Sequence, residues 1–385
     1  MDEASLHELL SGRRRDVGAR LLRGVLSVAS HGYSAAMTLR NLVYDRGWLG
    51  VRRADVPVIS LGNITTGGTG KTPMAAWLAN WLSAQGRRPG LLSRGYRSLT
   101  PVGEAPAEPQ SVTDVETPSR LGGSPAIPNR LAAATAGSGN DEKLVLDRLC
   151  PGVPHLQQRD RVDSARRLVS EFGCDVLILD DGFQHRRLHR DLDLVLIDAL
   201  QPWGFGHVLP RGLLRETKSG LRRAGLVLMT RADQCTAAEK QRLHAELQAV
   251  RGTAECVEIA FTPRRLVGLD GSIAPLETVF AQRALAFCGI GNPGGFRQTV
   301  TSLGVSNEFR GFPDHHHYKA EDFHELAAAA RAAAADIALT TLKDLVKIPR
   351  DAWMGPPLYA VEIGVEFLAG HDLLADRLRQ IISSW

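Results

Sequence analysis

The stretch that most constrains this chain runs from Val56 to Tyr96 and reads VPVISLGNITTGGTGKTPMAAWLANWLSAQGRRPGLLSRGY. Its opening apolar run, with β-branched Val56, Val58 and Ile59 beside Leu61, predicts a buried strand. Pro73 to Gln85 predicts a helix with proline in its first turn. Between them, Gly67, Gly68 and Gly70 let the backbone turn successive amides inward at phosphate oxygens, and the helix N-terminus adds its partial positive charge. Lys71 then meets the β- and γ-phosphates, and the Thr72 hydroxyl is placed for Mg2+. The usual pattern opens with glycine where Thr65 stands, so Thr65, Thr66, Gly67, Gly68, Thr69, Gly70, Lys71 and Thr72 match its GKT end and its context. A tight turn with a surface lysine is the plainer alternative, and the clustered glycines before Lys-Thr argue against it. A neighbouring class of ATPases carries an extra lysine near Thr65 and Thr66; its absence argues against a dimeric switch ATPase.

The 385 residues suffice for two medium domains or one large one, and the net charge of +4 is too small to name a partner. Charge distribution says more. Residues 13–53 alternate arginines (Arg13, Arg14, Arg15, Arg20, Arg23, Arg40, Arg46, Arg52, Arg53) with apolar side chains such as Leu21, Leu22, Val25, Leu26 and Val28. The charge-free run between Arg23 and Arg40 is shorter than the roughly 20 residues of a spanning helix. It suits either a helix lying in the headgroup region or one packed on the domain. The basic residues are not interleaved with aromatics for base stacking, which argues against nucleic acid. Five scattered cysteines without metal-ligand spacing fit a reducing cytoplasm, and the charged first sixteen residues are not expected to form a cleavable signal peptide.

Further along, Arg88–Ser93 predicts a second strand, and the proline-rich segment 98–139 reads as a long insertion. Asn140-Asp141-Glu142 opens a helix; acidic residues there are common for capping, so Asp141 and Glu142 alone say little. Asp175 to His185, DVLILDDGFQH, predicts a parallel strand that delivers Asp180 and Asp181 to the ligand-binding edge, where phosphate-loop enzymes bind Mg2+; the plainer alternative is that the paired aspartates form a turn. Strands are also expected at Leu192–Ile197 and Gly225–Met229, with a helix at Ala237–Val250. A second α/β unit begins near Ala281, with GIGNPGGF after a strand, then FPDHHHY, TLKD and a closing strand and helix. Neighbouring histidines on an extended chain point in alternating directions and cannot share one ion. A histidine beside Asp314 suits proton management, or the run is simply a polar loop. The expected organisation is an N-terminal amphipathic helix region over 1–55, an α/β phosphate-loop core with a mainly parallel sheet over 56–280, and a smaller α/β unit over 281–385.

Together, YDRGWL (44–49), VPVISLGNITTGGTGKTP (56–73), LLSRGY (91–96), NDE (140–142), LDDGFQHRRLHRDLDLVLID (179–198), LPRGLLRE (209–216), GIGNP (289–293), FPDHH (312–316) and TLKD (341–344) resemble the tetraacyldisaccharide 4'-kinase family of lipid A biosynthesis, in the family's order. The resemblance implies a kinase that moves the γ-phosphate of ATP to the 4'-hydroxyl of a tetraacylated glucosamine disaccharide 1-phosphate. It further implies peripheral contact with the cytoplasmic face of the inner membrane and no obligate protein partner. By motif, Asp141 would be the base and His315, chosen over His316 by its place after Asp314, would pair with it. Thr72, Asp180 and Asp181 would belong to the Mg2+ shell, with Glu142 and Glu216 as further members and Arg161 near the cleft. The competing readings are a membrane-associated switch ATPase, disfavoured by NDE and FPDHH at chemistry-like positions, and a soluble metabolite kinase, disfavoured by the basic N-terminus.

Overall fold

The computed structural model describes residues 3–94 and 140–385; the insertion expected over 98–139 and the end of the LLSRGY word lie outside the described residues. Helices α1 (Glu3–Ser11) and α2 (Val17–Asp45) come first. Then follow β1 (Val58–Asn63), α3 (Lys71–Ala84), β2 (Pro89–Ser93), α4 (Asp141–Leu149), β3 (His155–Gln157), α5 (Arg161–Ser170), β4 (Val176–Asp180), β5 (Leu192–Asp198), β6 (Leu226–Thr230) and α6 (Ala237–Arg251). The remainder comprises β7 (Cys256–Gly268), β8 (Ile273–Ala274), β9 (Arg283–Cys288), α7 (Pro293–Ser302), β10 (Ser306–Gly311), α8 (Ala320–Ala332), β11 (Ile337–Thr341), α9 (Leu342–Leu345), β12 (Leu358–Ala369) and α10 (His371–Ser383).

One mostly parallel sheet runs through the molecule in the order β10-β9-β11-β12-β7-β6-β5-β1-β4-β2-β3, with β8 on β7. Strands β3 to β7 along this order form one parallel block, and β12, β11, β9 and β10 form another. The blocks meet at the antiparallel pair β7–β12. Register decides how they face. β6 pairs with Cys256–Ile259, the start of β7, whereas β11 pairs with Leu358–Val361, the start of β12. Because β7 and β12 run in opposite directions and are longer than their neighbours, the carboxyl ends of both blocks point toward each other over the middle of this ribbon. Ligands of open α/β sheets bind beyond strand carboxyl ends, so both blocks serve one cleft.

Helices cover both faces of each block. Met74, Leu78 and Leu82 of α3 and Leu374 and Leu378 of α10 pack on Ile59, Leu61 and Ile178, while Leu243 and Leu247 of α6 pack opposite on Val195, Ile197, Val227 and Met229. In the second block, α8 covers Leu285, Phe287 and Ala338, and α7 covers Ala284, Ala286 and Leu339. Burial on both faces explains why these strands read as unbroken apolar runs. The sequence offered no such run for β7: Pro263 and the Arg264-Arg265 pair interrupt it. The register with β12 shifts between Glu362 and Ile363, so Arg264 has no opposite residue, and proline is tolerated at such an irregularity.

Helix α2 lies against the first block through polar ties. Ser30 Oγ donates to Val208 O (2.9 Å), Tyr33 Oη to Arg215 O (2.9 Å) and Arg40 to Gln184 O (2.6 Å). Its other face exposes Val17, Leu21, Val25, Val28 and Leu39, with Trp48 and Val51 beyond its end. Among the described residues no helix is long and apolar enough to cross a membrane.

Candidate active site

The loop from Thr65 to Gly70 leaves β1 and enters α3 through Gly67 (φ +116°) and Gly70 (φ +83°), conformations that side-chain-bearing residues rarely adopt. Gly70 is needed for a second reason: a Cβ there would meet the Phe261 ring of β7 at 1.9 Å. Thr65 and Thr69 are buried, and Asn63 Nδ2 donates to Thr69 Oγ1 (3.0 Å), while Thr66 N donates to Leu213 O (2.7 Å). Gly67 and Gly68 face solvent. Lys71 and Thr72 occupy the first turn of α3, where unpaired backbone amides and the helix dipole favour an anion.

Beside the loop, β4 ends at Asp180 and the chain turns at Asp181 (φ +51°). Asp181 receives Lys71 Nζ at 3.5 Å and Arg215 Nη1 at 2.9 and 2.8 Å. Burial alone would raise its carboxyl, but these two cations hold it below the ordinary aspartate value. Asp180 differs. It is 5% exposed and accepts from the Asp181 amide (2.9 Å), and burial pushes its carboxyl up to about 7, with Lys71 opposing the rise and Glu142 and Asp181 adding to it. Such a desolvated carboxylate favours a cation. Among the described residues no three His, Cys, Asp or Glu converge on one point. Mg2+ does not require that, since it is commonly held by one or two carboxylates together with phosphates and water. Asp180 therefore has the donor chemistry such an ion takes, with Glu142 close enough to act on it electrostatically.

Glu216 stands apart. It is 2% exposed, and its oxygens accept from Arg223 Nη2 (3.1 and 2.8 Å), Gln184 Nε2 (2.9 Å) and Asn41 Nδ2 (3.2 Å). The Asn41 bond ties α2 to the core. Arg161 is buried against His185, with Nη1 3.2 Å from Nδ1; burial and the surrounding arginines push His185 down to about 4, keeping it neutral.

Across the cleft, α4 begins at Asp141, capped by Asn140 Oδ1, which accepts from Lys143 N (3.0 Å). Asp141 is 4% exposed, and its Oδ2 lies 2.9 Å from Nδ1 of His315, 174 positions away in the second block. His315 has φ +58°, an uncommon conformation for a non-glycine residue. The three histidines diverge, but the chain turns at Asp314 and His315 instead of running extended, so the turn and not strand-like alternation separates them. His316 Nε2 instead meets Asp322 Oδ2 (2.9 Å) and its ring stacks on Phe312, while His317 is exposed. Lys343 of α9, a residue given no role from sequence, approaches His315 Nε2 (3.3 Å), Asp314 Oδ1 (3.3 Å) and Asp141 Oδ2 (3.7 Å). Arg215 and Phe261 were likewise missed. Arg215 and Lys343 sit inside LPRGLLRE and TLKD, the one signal that pointed to them, whereas nothing local marked Phe261.

An α/β phosphate-loop core with a carboxylate–imidazole pair facing the loop's cleft defines a phosphate-loop kinase. The family described as tetraacyldisaccharide-1-P 4'-kinase matches residues 22–383. Proteins named tetraacyldisaccharide 4'-kinase are 40% identical in Anaeromyxobacter sp. strain Fw109-5, over 95% of this chain and 94% of the relative, and 38% identical in Geobacter sulfurreducens, over 92% of each. The crystal structure of LpxK from Aquifex aeolicus, an "apo" form in complex with ATP, superposes with a TM-score of 0.67 at 26% identity, covering 94% of this chain and 99% of that one. The chain belongs to the tetraacyldisaccharide-1-P 4'-kinase family.

Proposed function

We propose that ATP binds this chain through residues 65–72 and that Asp141, oriented by His315, takes the proton of the acceptor's 4'-hydroxyl. The freed oxygen attacks the γ-phosphorus as the bond from that phosphorus to the β,γ-bridging oxygen breaks, giving the 4'-phosphorylated disaccharide and ADP. A loose phosphoryl transition state is stabilised mainly by positioning and cations, so Lys71 is assigned the larger share and Asp141 the smaller. Arg215 shares Asp181 with Lys71, so the carboxylate keeps a cationic partner when the lysine turns to phosphate. Thr72 and Asp180 would hold Mg2+, with Glu142 and Asp181 flanking; the ion, when bound, neutralises charge on the β- and γ-phosphates. Glu216 is assigned to anchoring α2. The observation that carries this reading is the 2.9 Å approach of Asp141 and His315 from opposing blocks at the same cleft as the phosphate loop.

Two wider features belong to the proposal. The core over 56–280 and the unit over 281–385 act as two lobes that share the β7–β12 ribbon. The apolar outer face of α2 docks peripherally on the cytoplasmic face of the inner membrane, with the region's arginines on anionic headgroups, which brings an acylated acceptor to the cleft. The test is transfer of labelled γ-phosphate from Mg-ATP to a tetraacyldisaccharide 1-phosphate in detergent micelles, beside a deacylated acceptor. Transfer to the acylated acceptor alone is expected; ATP hydrolysis without transfer to either would overturn the proposal.

A further inference from the structure

The geometry points to Lys343 as a positioning residue that fixes the tautomer and ring orientation of His315 and so aims Asp141; the inference rests on the reading of that pair given above. An ammonium carries three N–H donors and no lone pair. His315 Nε2, 3.3 Å from Lys343 Nζ, must therefore accept, which leaves the ring proton on Nδ1. From there it is donated to Asp141 Oδ2, 2.9 Å away. Asp314 Oδ2 lies 3.8 Å from Nε2, too far to draw the proton to that nitrogen, and its Oδ1 binds the Lys343 ammonium instead. With the proton on Nε2, the Nδ1 lone pair would face a carboxylate, and the pair would separate.

A long lysine can hold a tautomer only if its base is fixed, and here it is. Helix α9 is capped by Thr341, whose Oγ1 accepts from Asp344 N (3.1 Å). Asp344 is fully buried and accepts from the Thr341 hydroxyl (2.7 Å) and from Gly289 N (3.0 Å), and Lys347 pairs with it at 3.0 Å. Gly289 O in turn accepts from His315 N (3.1 Å). One loop residue thus anchors both the helix that carries Lys343 and the backbone of His315. The positive φ of His315 is held by this same anchoring.

The test uses full-length enzyme in mixed micelles, with Lys343→Met and Lys343→Arg made alone and with His315→Ala. Lys343→Met is expected to lower kcat roughly tenfold, the size typical of losing an orienting partner, with the KM for ATP unchanged. Lys343→Arg, which keeps the donor and the charge, restores most of the loss. In the His315→Ala background Lys343→Met should cost less than about twofold, because the two act as one unit. In protein labelled with 15N-histidine, the His315 signals, identified by their loss in His315→Ala, should report a protonated Nδ1, and the two nitrogens should move toward averaged positions in Lys343→Met. A full tenfold loss in the His315→Ala background, or an unchanged tautomer signature, overturns the inference. Activity retained in Asp141→Asn would instead overturn the base assignment itself.

Discussion

The two charged centres of the cleft are built in opposite ways. The phosphate-loop centre comes from consecutive residues and two adjacent parallel strand ends, and its charges meet within one block: Lys71, Asp181 and Arg215 lie within 3.5 Å contacts. The acceptor-side centre joins Asp141 of the first block to His315 and Lys343 of the second, and depends on the ribbon that holds the blocks apart. The first should tolerate relative movement of the blocks; the second should not. Nucleotide binding and hydroxyl activation are therefore separable by mutation.

The largest effect should come from the first centre. Lys71→Ala removes the cation that meets the transferring phosphate, and kcat for γ-phosphate transfer should fall by about ten-thousandfold. Near-normal turnover would break the assignment of the loop. At the second centre, Asp141→Asn keeps shape and removes basicity. Transfer should fall by about a hundredfold to a thousandfold while the KM for ATP stays within about twofold. A matching loss of ATP affinity would collapse the distinction by placing Asp141 among the nucleotide contacts.

Phe261 is where the ribbon touches the loop, so it tests how far the centres are independent. Gly70→Ala adds a methyl 1.9 Å from the Phe261 ring and forces alanine to φ +83°, which costs about 1–2 kcal/mol for the backbone alone. ATP binding, measured by calorimetry, should weaken about tenfold or more, since 1.4 kcal/mol is a factor of ten. Adding Phe261→Ala relieves the clash and leaves the backbone cost, so the double variant should recover only part of the affinity. Full recovery would mean that the left-handed turn is dispensable; no recovery would mean that the ring does not press on the loop.

The same contrast sets what could be read in the sequence. Asp180, Lys71 and the glycines were legible because strand, loop and helix are contiguous and each has a local chemical reason. The doubly buried strands announced themselves as apolar runs. Strand β7 did not, because Pro263 and two arginines break its pattern at a register shift. His315 was legible through its motif, although the extended-chain alternation expected there is replaced by a turn at φ +58°; its contact with Asp141 depends on two blocks facing each other, which periodicity does not encode. Glu216 was grouped with the metal-shell candidates by motif, yet its oxygens are taken up by Arg223, Gln184 and Asn41, partners scattered over the chain. Lys343 carried a motif and no reason until its neighbours were known.

The smallest effect sharpens the comparison most. Asn140 Oδ1 caps α4 and also accepts from Gln157 Nε2 (2.8 Å), while Asn140 N donates to Gln157 Oε1 (3.1 Å), so the first turn carrying Asp141 is gripped from β3. Asn140→Ala should lower stability by about 1 kcal/mol, the usual worth of a cap, read as a shift of the urea midpoint. Asn140→Asp retains a capping oxygen and should recover most of that stability. It also sets a second charge beside Asp141, so its turnover should not recover in parallel. If Asn140→Ala lowers kcat severalfold with ATP affinity unchanged, the acceptor-side centre depends on the placement of its helix while the phosphate-loop centre is indifferent to it. If ATP affinity falls in step with kcat, the two centres are mechanically one.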